Sequence, residues 1–448
     1  IVKDRGQDGT GTTPNSNNAA TISAGVSIQD GTESGEKVVV DVVDPTWRAG
    51  FTMSLSGTTA NLTMTLKATD TYFQSSTLTG NNIKVIVNGE ETTTGITKNL
   101  TAGDELTEDR IVNGVVQTGY KYGQEYDLSI TGLPIDEANQ IKVKIDEGTI
   151  TDQNGNSSTE AEFTIYNVLK SAAEEKSATS PFLGESLETT LYPTGLTELT
   201  PIAREDIEKV IFVDNIEGSK AAGVQRIWDV SAQNDGSIIA WTSNTAVPYT
   251  VYIGSDDEIF ANQNSSYLFA HIGSGNGTAT DPVIDLHLLN ETGVIAMNYM
   301  FYSFGKTRMS SLNLGEFDTS NVTSMNRMFD YCGDHRMSEL NLGTEFDTSN
   351  VTSMVGMFNY CGGDAMVMQL GDKFDTSKVT TMYEMFLWCG AKELSLGDKF
   401  DTSSVTNMEL MFGGLGHIRL TSLDLGDKFD TSSVTNMKQM FWRCGEGS

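Results

Sequence analysis

The stretch Phe317–Gly333, FDTSNVTSMNRMFDYCG, decides how the rest of the chain is read, because the C-terminal third rewrites it repeatedly. It returns as FDTSNVTSMVGMFNYCG at Phe346–Gly362 and as FDTSKVTTMYEMFLWCG at Phe374–Gly390. Two more copies follow, FDTSSVTNMELMFGGLG from Phe400 and FDTSSVTNMKQMFWRCG from Phe429. The leading phenylalanines lie 29, 28, 26 and 29 residues apart. A degenerate copy comes first, LNETGVIAMNYMFYSFG at Leu289–Gly305, with Met297, Met300 and Phe301 in register. Self-similarity at this period marks a solenoid, in which each unit buries its apolar face against its neighbours.

Inside one copy, Leu312-Asn313-Leu314-Gly315 is a short alternating strand ended by glycine, and L-x-L-G recurs at Leu340, Leu394 and Leu423. Val322, Met325, Met328, Phe329 and Cys332 then fall at i, i+3, i+6, i+7 and i+10, the spacing of one α-helical face. Thr319 or Ser320 stands where a helix N-cap belongs. Strand, turn, short helix and return predict a leucine-rich-repeat-like α/β solenoid. Sixteen of the 18 methionines lie between Met297 and Met440, where a flexible thioether fills gaps between unequal rungs.

Three columns of the repeat invite chemistry. Asp318, Asp347, Asp375, Asp401 and Asp430 are carboxylates one rung apart. Asp-Thr-Ser is itself a turn and cap sequence, and that reading is preferred over calcium held between rungs. Cys332, Cys361, Cys389 and Cys444 share one position, with spacings of 29, 28 and 55 that match no metal motif. Phe304 and Leu415 replace them in other copies, so the column reads as a buried ladder rather than a redox or metal site. One residue earlier stand Tyr331, Tyr360 and Trp388, then Gly414 and Arg443, with Ser303 leading. On a helix these three aromatics fall on the flank of the apolar stripe, where they either offer a strip to sugar rings or a peptide, or brace neighbouring rungs.

The whole chain has 448 residues, enough for two or three domains. With 29 Lys and Arg against 60 Asp and Glu, the net charge is −31, which disfavours nucleic acid and anionic lipid as partners. No window approaches the roughly 18 apolar residues of a membrane helix, so no direct membrane insertion is expected of this segment. The start at Ile1 and the stop at Ser448 lead us to expect processed or truncated ends, with any targeting or anchoring signal elsewhere.

Residues 1–20 are polar and aperiodic and read as a flexible leader. Residues 21–168 change to short alternating runs: Lys37–Val43, Asn61–Lys67, Ile83–Val87, Tyr126–Ile130, Ile141–Ile145 and Glu162–Tyr166. Ser56-Gly57, Asn88-Gly89 and Asn154-Gly155 punctuate them, predicting an immunoglobulin-like β-sandwich without a disulfide. Asp152, Asn154 and Asn156 are spaced like the start of a calcium loop. Ser157 replaces the required glycine and Phe163 the required glutamate, so a hairpin turn is expected and no cofactor is assigned. A Lys37–Asn167 isopeptide crosslink is a further idea that no spacing rule supports. Residues 169–181 read as a linker, and 182–280 as a mixed α/β cap. The cap is expected to hold a short helix after Thr200-Pro201 and strands at Lys209–Val213, Ser237–Trp241 and Thr250–Ile253. Residues 281–448 complete the series as a solenoid of about six repeats.

FDTSNVTSMNRMFDYCG with its L-x-L-G strands resembles the repeats of BspA-like bacterial surface proteins. Trp228-Asp229-Val230-Ser231, Ile239-Ala240-Trp241, Tyr252-Ile253-Gly254 and Asn262–Phe269 resemble the head of that family, so the likeness spans about Ile207–Gly445. The close of the front domain, GTITDQNGNSSTEAEFTI, is similar to bacterial immunoglobulin-like stalk modules. The resemblance implies an extracellular, cell-surface adhesin that binds host extracellular-matrix protein, glycan or another cell-surface protein. It carries over no catalytic residues. His271, His287, His335 and His417 are scattered, and no nucleophile elbow, phosphate loop or zinc motif is present, so no enzyme is expected. The alternative is a structural spacer or self-assembling surface subunit.

Overall fold

The computed structural model describes residues 2–3, 39–40, 44–56, 59–70, 72–112, 115–135, 140–184, 201–275 (without 222–223, 225, 235 and 245), 281–306 and 308–447 (without 335 and 418). The chain divides into two compact units, one of residues 1–135 with 141–165 and one of residues 136–140 with 166–448. Most of the leader, most of the Lys37–Val43 run, Gly57 of the Ser56-Gly57 turn and Lys37 of the crosslink idea lie outside the described residues.

The first unit is antiparallel. Thr46–Ser56, Thr59–Thr69, Val115–Pro134 and Thr97–Val112 form a four-stranded sheet in that order. Ala60, Leu62, Met64, Leu66 and Ala68 are buried while the threonines and lysine between them face out, which is the period-2 pattern of a half-buried strand. Ile141–Ile145 pairs with Ile83–Val87, and Ile150–Asp152 with Phe73–Ser76. Trp47 Nε1 donates to Thr149 Oγ1 at 3.0 Å. Asn88 and Gly89 both hold positive φ, 52° and 83°, in the tight turn before Glu90, as Asn-Gly demands. Asp152 is buried: its Oδ1 accepts from the amides of Asn154 (2.9 Å) and Asn156 (2.7 Å), and its Oδ2 from Asn156 Nδ2 (2.6 Å). The D-x-N-x-N stretch is therefore a side-chain-capped turn.

The second unit opens with a five-stranded mixed sheet ordered Arg226–Asp229, Ile239–Thr242, Tyr249–Gly254, Ile207–Val213 and Val283–Asp285. Trp228, Phe212, Val251 and Ile253 are buried in one core with the repeats. Two expectations change here. The segment read as a linker is built into this unit, with Leu169 and Ala172 buried and the Leu169 amide bonded to the Phe260 carbonyl. The helix expected after Thr200-Pro201 is one 3₁₀ turn, Arg204–Asp206, after which the chain extends at once into Ile207–Val213.

The repeats stack in register. Ser311–Asn313, Glu339–Asn341, Met366–Gln369, Ala391–Ser395 and Ser422–Asp424 make a parallel sheet. On another side of each rung, parallel bridges run from Asn264 through Ala296, Ser324, Ser353, Thr381 and Asn407 to Asn436. The stack thus begins one rung earlier than the repeats suggest, with Asn264–Gly273, NSSYLFAHIG, whose Leu268 and Phe269 take the places of Met328 and Phe329.

The predicted helix is absent; no α-helix occurs among the described residues. Val322–Cys332 instead folds as consecutive turns. The Met328 amide donates to the Met325 carbonyl and the Cys332 amide to Phe329, both i to i+3. The third residue of each turn, Arg327 and Tyr331, has φ of 55° and 57°, as in type II turns. The alternate amides, those of Met325, Arg327, Phe329 and Tyr331, donate to the next rung, to Ser353, Val355, Met357 and Asn359. A pair of turns starting at Met325 and Phe329 buries residues three and four apart, and so reproduces helical spacing. The composition argued against a helix: Thr, Ser, Asn, Phe, Tyr and Cys are weak formers, and the hydroxyls and amides compete for backbone groups. Stacking then gives every second amide a carbonyl on the next rung in place of the i−4 carbonyl that a helix would offer.

Candidate functional site

The aspartate column is spent on local structure. In every full copy the carboxylate accepts from the amide of the serine two residues on, at 2.8 Å for Asp318 and Asp347, 2.9 Å for Asp375 and Asp401, and 2.7 Å for Asp430. The Ser403 hydroxyl and amide hold the Asp401 carboxyl below its usual range. The intervening threonine is buried and staples rungs, Thr319, Thr348, Thr376 and Thr402 each donating Oγ1 to the next aspartate's carbonyl at 2.7–2.8 Å. In the degenerate rung Glu291 takes the place of that threonine, and burial pushes its carboxyl up to about 8. Cys332, Cys361 and Cys389 are buried free thiols. Burial pushes Cys389 up to about 12, and burial with the neighbouring Cys332 also raises Cys361, so these two are shielded from thiolate chemistry at neutral pH.

Tyr331, Tyr360 and Trp388 are brought together in one half-buried column. Tyr331 and Tyr360 stack at 4.7 Å with planes 3° apart, and Tyr360 and Trp388 at 6.2 Å and 21°. Lys306 Nζ sits 4.2 Å over the Tyr331 ring. Rings of adjacent rungs therefore pack face to face along this column. The break at Gly414 has a steric cause: a Cβ there would lie 2.5 Å from the Trp388 ring, so the glycine seats the indole. Trp442 and His417 close on Trp388 edge-on, at 5.8 and 5.1 Å.

A second column, at the third residue of the preceding turn, was not singled out from the sequence. It runs Tyr267, Tyr299, Arg327, Gly356, Glu384, and φ is positive at each of these positions. Tyr267 and Tyr299 stack at 4.7 Å and 6°. Burial, with the nearby Tyr299 and Tyr302, pushes the Tyr267 phenol up to about 12, so it stays a neutral donor. Arg327 lies over Gly356, bonding Asp330 at 2.9 Å and Glu384 two rungs away at 2.6 Å. Burial pushes Asp330 up to about 6 even with Arg327 and Asn359 as partners. Beside this column lies an open groove of about 540 Å3, lined by the 173–176 loop, Asn264, Ser266, Tyr267, Asn298, Tyr299, Asn326, Arg327 and Val355. The signal that could have found it is the aromatic pair Tyr267 and Tyr299, hidden because the first rung lacks the Asp-Thr-Ser lead.

Residues 278–392 and, in a second placement, 363–446 match a family model described as "Mycoplasma protein of unknown function, DUF285". The C-terminal repeat region is thus similar to that family. No curated protein and no solved structure matches the chain.

Proposed function

We propose that this chain is an extracellular binding module of a bacterial cell surface, an adhesin whose repeat stack presents one face to host matrix protein, glycan or another cell-surface protein. One observation carries the reading: on the turn side of the stack, bulky Tyr, Trp and Arg side chains occupy left-handed turn positions that glycine would fill without strain. A non-glycine residue there costs on the order of 1 kcal/mol or more, and such strain gathers at functional surfaces. The BspA-like resemblance supports the surface location, and the leucine-rich-repeat-like architecture is the finer reading of the parallel sheet. The front unit, with its antiparallel sheets, is read as an immunoglobulin-like stalk. No catalytic role is proposed. The alternative is a self-assembling surface subunit, in which repeat stacks contact their own kind.

The test is binding of the chain to a panel of matrix proteins and glycans, beside Tyr331→Ala/Tyr360→Ala/Trp388→Ala checked for folding by circular dichroism. A ligand bound by the wild type supports the adhesin, and its loss in the variant assigns recognition to that column. No ligand, together with association that grows with protein concentration, replaces the adhesin with the self-assembling subunit.

A further inference from the structure

We propose that the groove between the 173–176 loop and the first four rungs is a subsite for an uncharged pyranose of a glycan chain. This rests on the surface-binding reading and names its ligand class. The groove's volume of about 540 Å3 falls within the roughly 300–1,000 Å3 of small-ligand sites.

Its amides are oriented by the fold. Asn298 Oδ1 accepts from Ser324 Oγ at 2.7 Å and from the Asn326 amide at 2.8 Å, and among the described residues nothing accepts from its Nδ2. Asn326 holds its oxygen in the same way one rung on, Oδ1 taking Ser353 Oγ at 2.6 Å and the Val355 amide at 3.0 Å, while its Nδ2 spends one N–H on Ser324 Oγ at 3.1 Å and keeps the other. Pinning the oxygen fixes each amide, so the nitrogens line the groove one rung, about 4.8 Å, apart. Fixed donors in series beside phenols suit vicinal hydroxyls and ring oxygens, which offer many acceptors at short spacing.

Charge selects an uncharged sugar. The guanidinium of Arg327 is already shared between Asp330 and Glu384, and Lys176 pairs with Glu174 at 3.4 Å. Among the described residues lining the groove, no unpaired cation therefore meets a carboxylate or sulfate, and the net charge of −31 opposes anionic glycans at a distance. Tyr267 and Tyr299, packed on each other, add a hydroxyl edge and an apolar wall.

The whole chain is titrated with lactose, N-acetyllactosamine, maltotetraose and chitotetraose by saturation-transfer NMR and calorimetry, with sialyllactose as the anionic control. Saturable binding of a neutral sugar, insensitive to added salt and stronger than for sialyllactose, is expected. Asn298→Asp keeps the Oδ1 acceptor and deletes the donor, so affinity falls about tenfold while the melting temperature holds. Tyr299→Gly keeps the backbone, since glycine adopts φ of 58° freely, and should weaken the sugar similarly. Absence of neutral-sugar binding, or binding indifferent to both variants, overturns the proposal. A matrix protein that still binds after enzymatic removal of its glycans overturns it too, while leaving the adhesin reading in place.

Discussion

The two sides of one rung are held by different means. On the sheet side, three to five residues make a strand, and the turn that follows is given to glycine, such as Gly397 with φ of 75° and nothing within 4 Å of a Cβ. On the turn side, Glu384 and Trp388 of the preceding rung hold φ of 59° and 54°. Backbone bonds to the next rung fix those positions whatever the side chain, so the second column varies from Tyr to Arg to Gly to Glu. Inward positions do not vary in this way: Met325, Met354, Met382 and Met408 repeat, as do Phe329, Phe358, Phe386 and Phe412, the phenylalanines stacked at 5.3–5.7 Å. A stack of this kind separates what builds the rung from what the rung displays.

The largest test removes the support of the turn side where it starts. Arg204 is fully buried and pairs with Glu175, while its Nη1 donates to the carbonyls of Tyr267, Leu268 and Ala270 at 2.8–3.2 Å. Arg204→Met strands those carbonyls and a carboxylate, so denaturant unfolding should show a loss of about 3–5 kcal/mol. Next, Gly414→Ala and Gly397→Ala set the two sides against each other. Both demand positive φ, worth about 1 kcal/mol. Only Gly414→Ala also drives a Cβ into Trp388, so it should cost about 1–2 kcal/mol more. Equal losses in the two variants would erase the distinction.

The smallest concerns Glu291, half-buried where the other rungs keep threonine. Its folded pKa of about 8 stands above the unfolded value of about 4.3, so the proton favours the folded state. The contribution is complete below the unfolded pKa and is lost as pH rises through 8. Because Glu291 is only partly shielded, the fall from pH 5 to pH 9 should be about 1–2 kcal/mol, read as a lower melting temperature. Glu291→Thr restores the repeat's own residue and should flatten the profile.

These contrasts also explain what the sequence could disclose. Alternation in Asn61–Lys67 has one structural meaning, and the strand Thr59–Thr69 lies there. Spacing of three and four has two, because a helix and a pair of stacked turns bury the same residues of Val322–Cys332. The deciding fact, where the Arg327 and Tyr331 amides donate, depends on the neighbouring rung and is not local. The Asp-Thr-Ser turn was legible in its type but not in its second task, the Thr319 staple to the Asp347 carbonyl. The same limit hid the groove. Tyr267 and Asn298 are 31 residues apart and meet only through register.

That register also sets how the stack responds to force. Pulled along the stacking direction, successive rungs carry the same load in series, and the bonds between any two rungs share it. Failure then starts at an end and moves inward one rung at a time. Each event frees a loop of 26–29 residues, roughly 90–100 Å of contour. A stack built this way lengthens in nearly equal steps, spending work at each, while the rungs not yet released stay packed on one another.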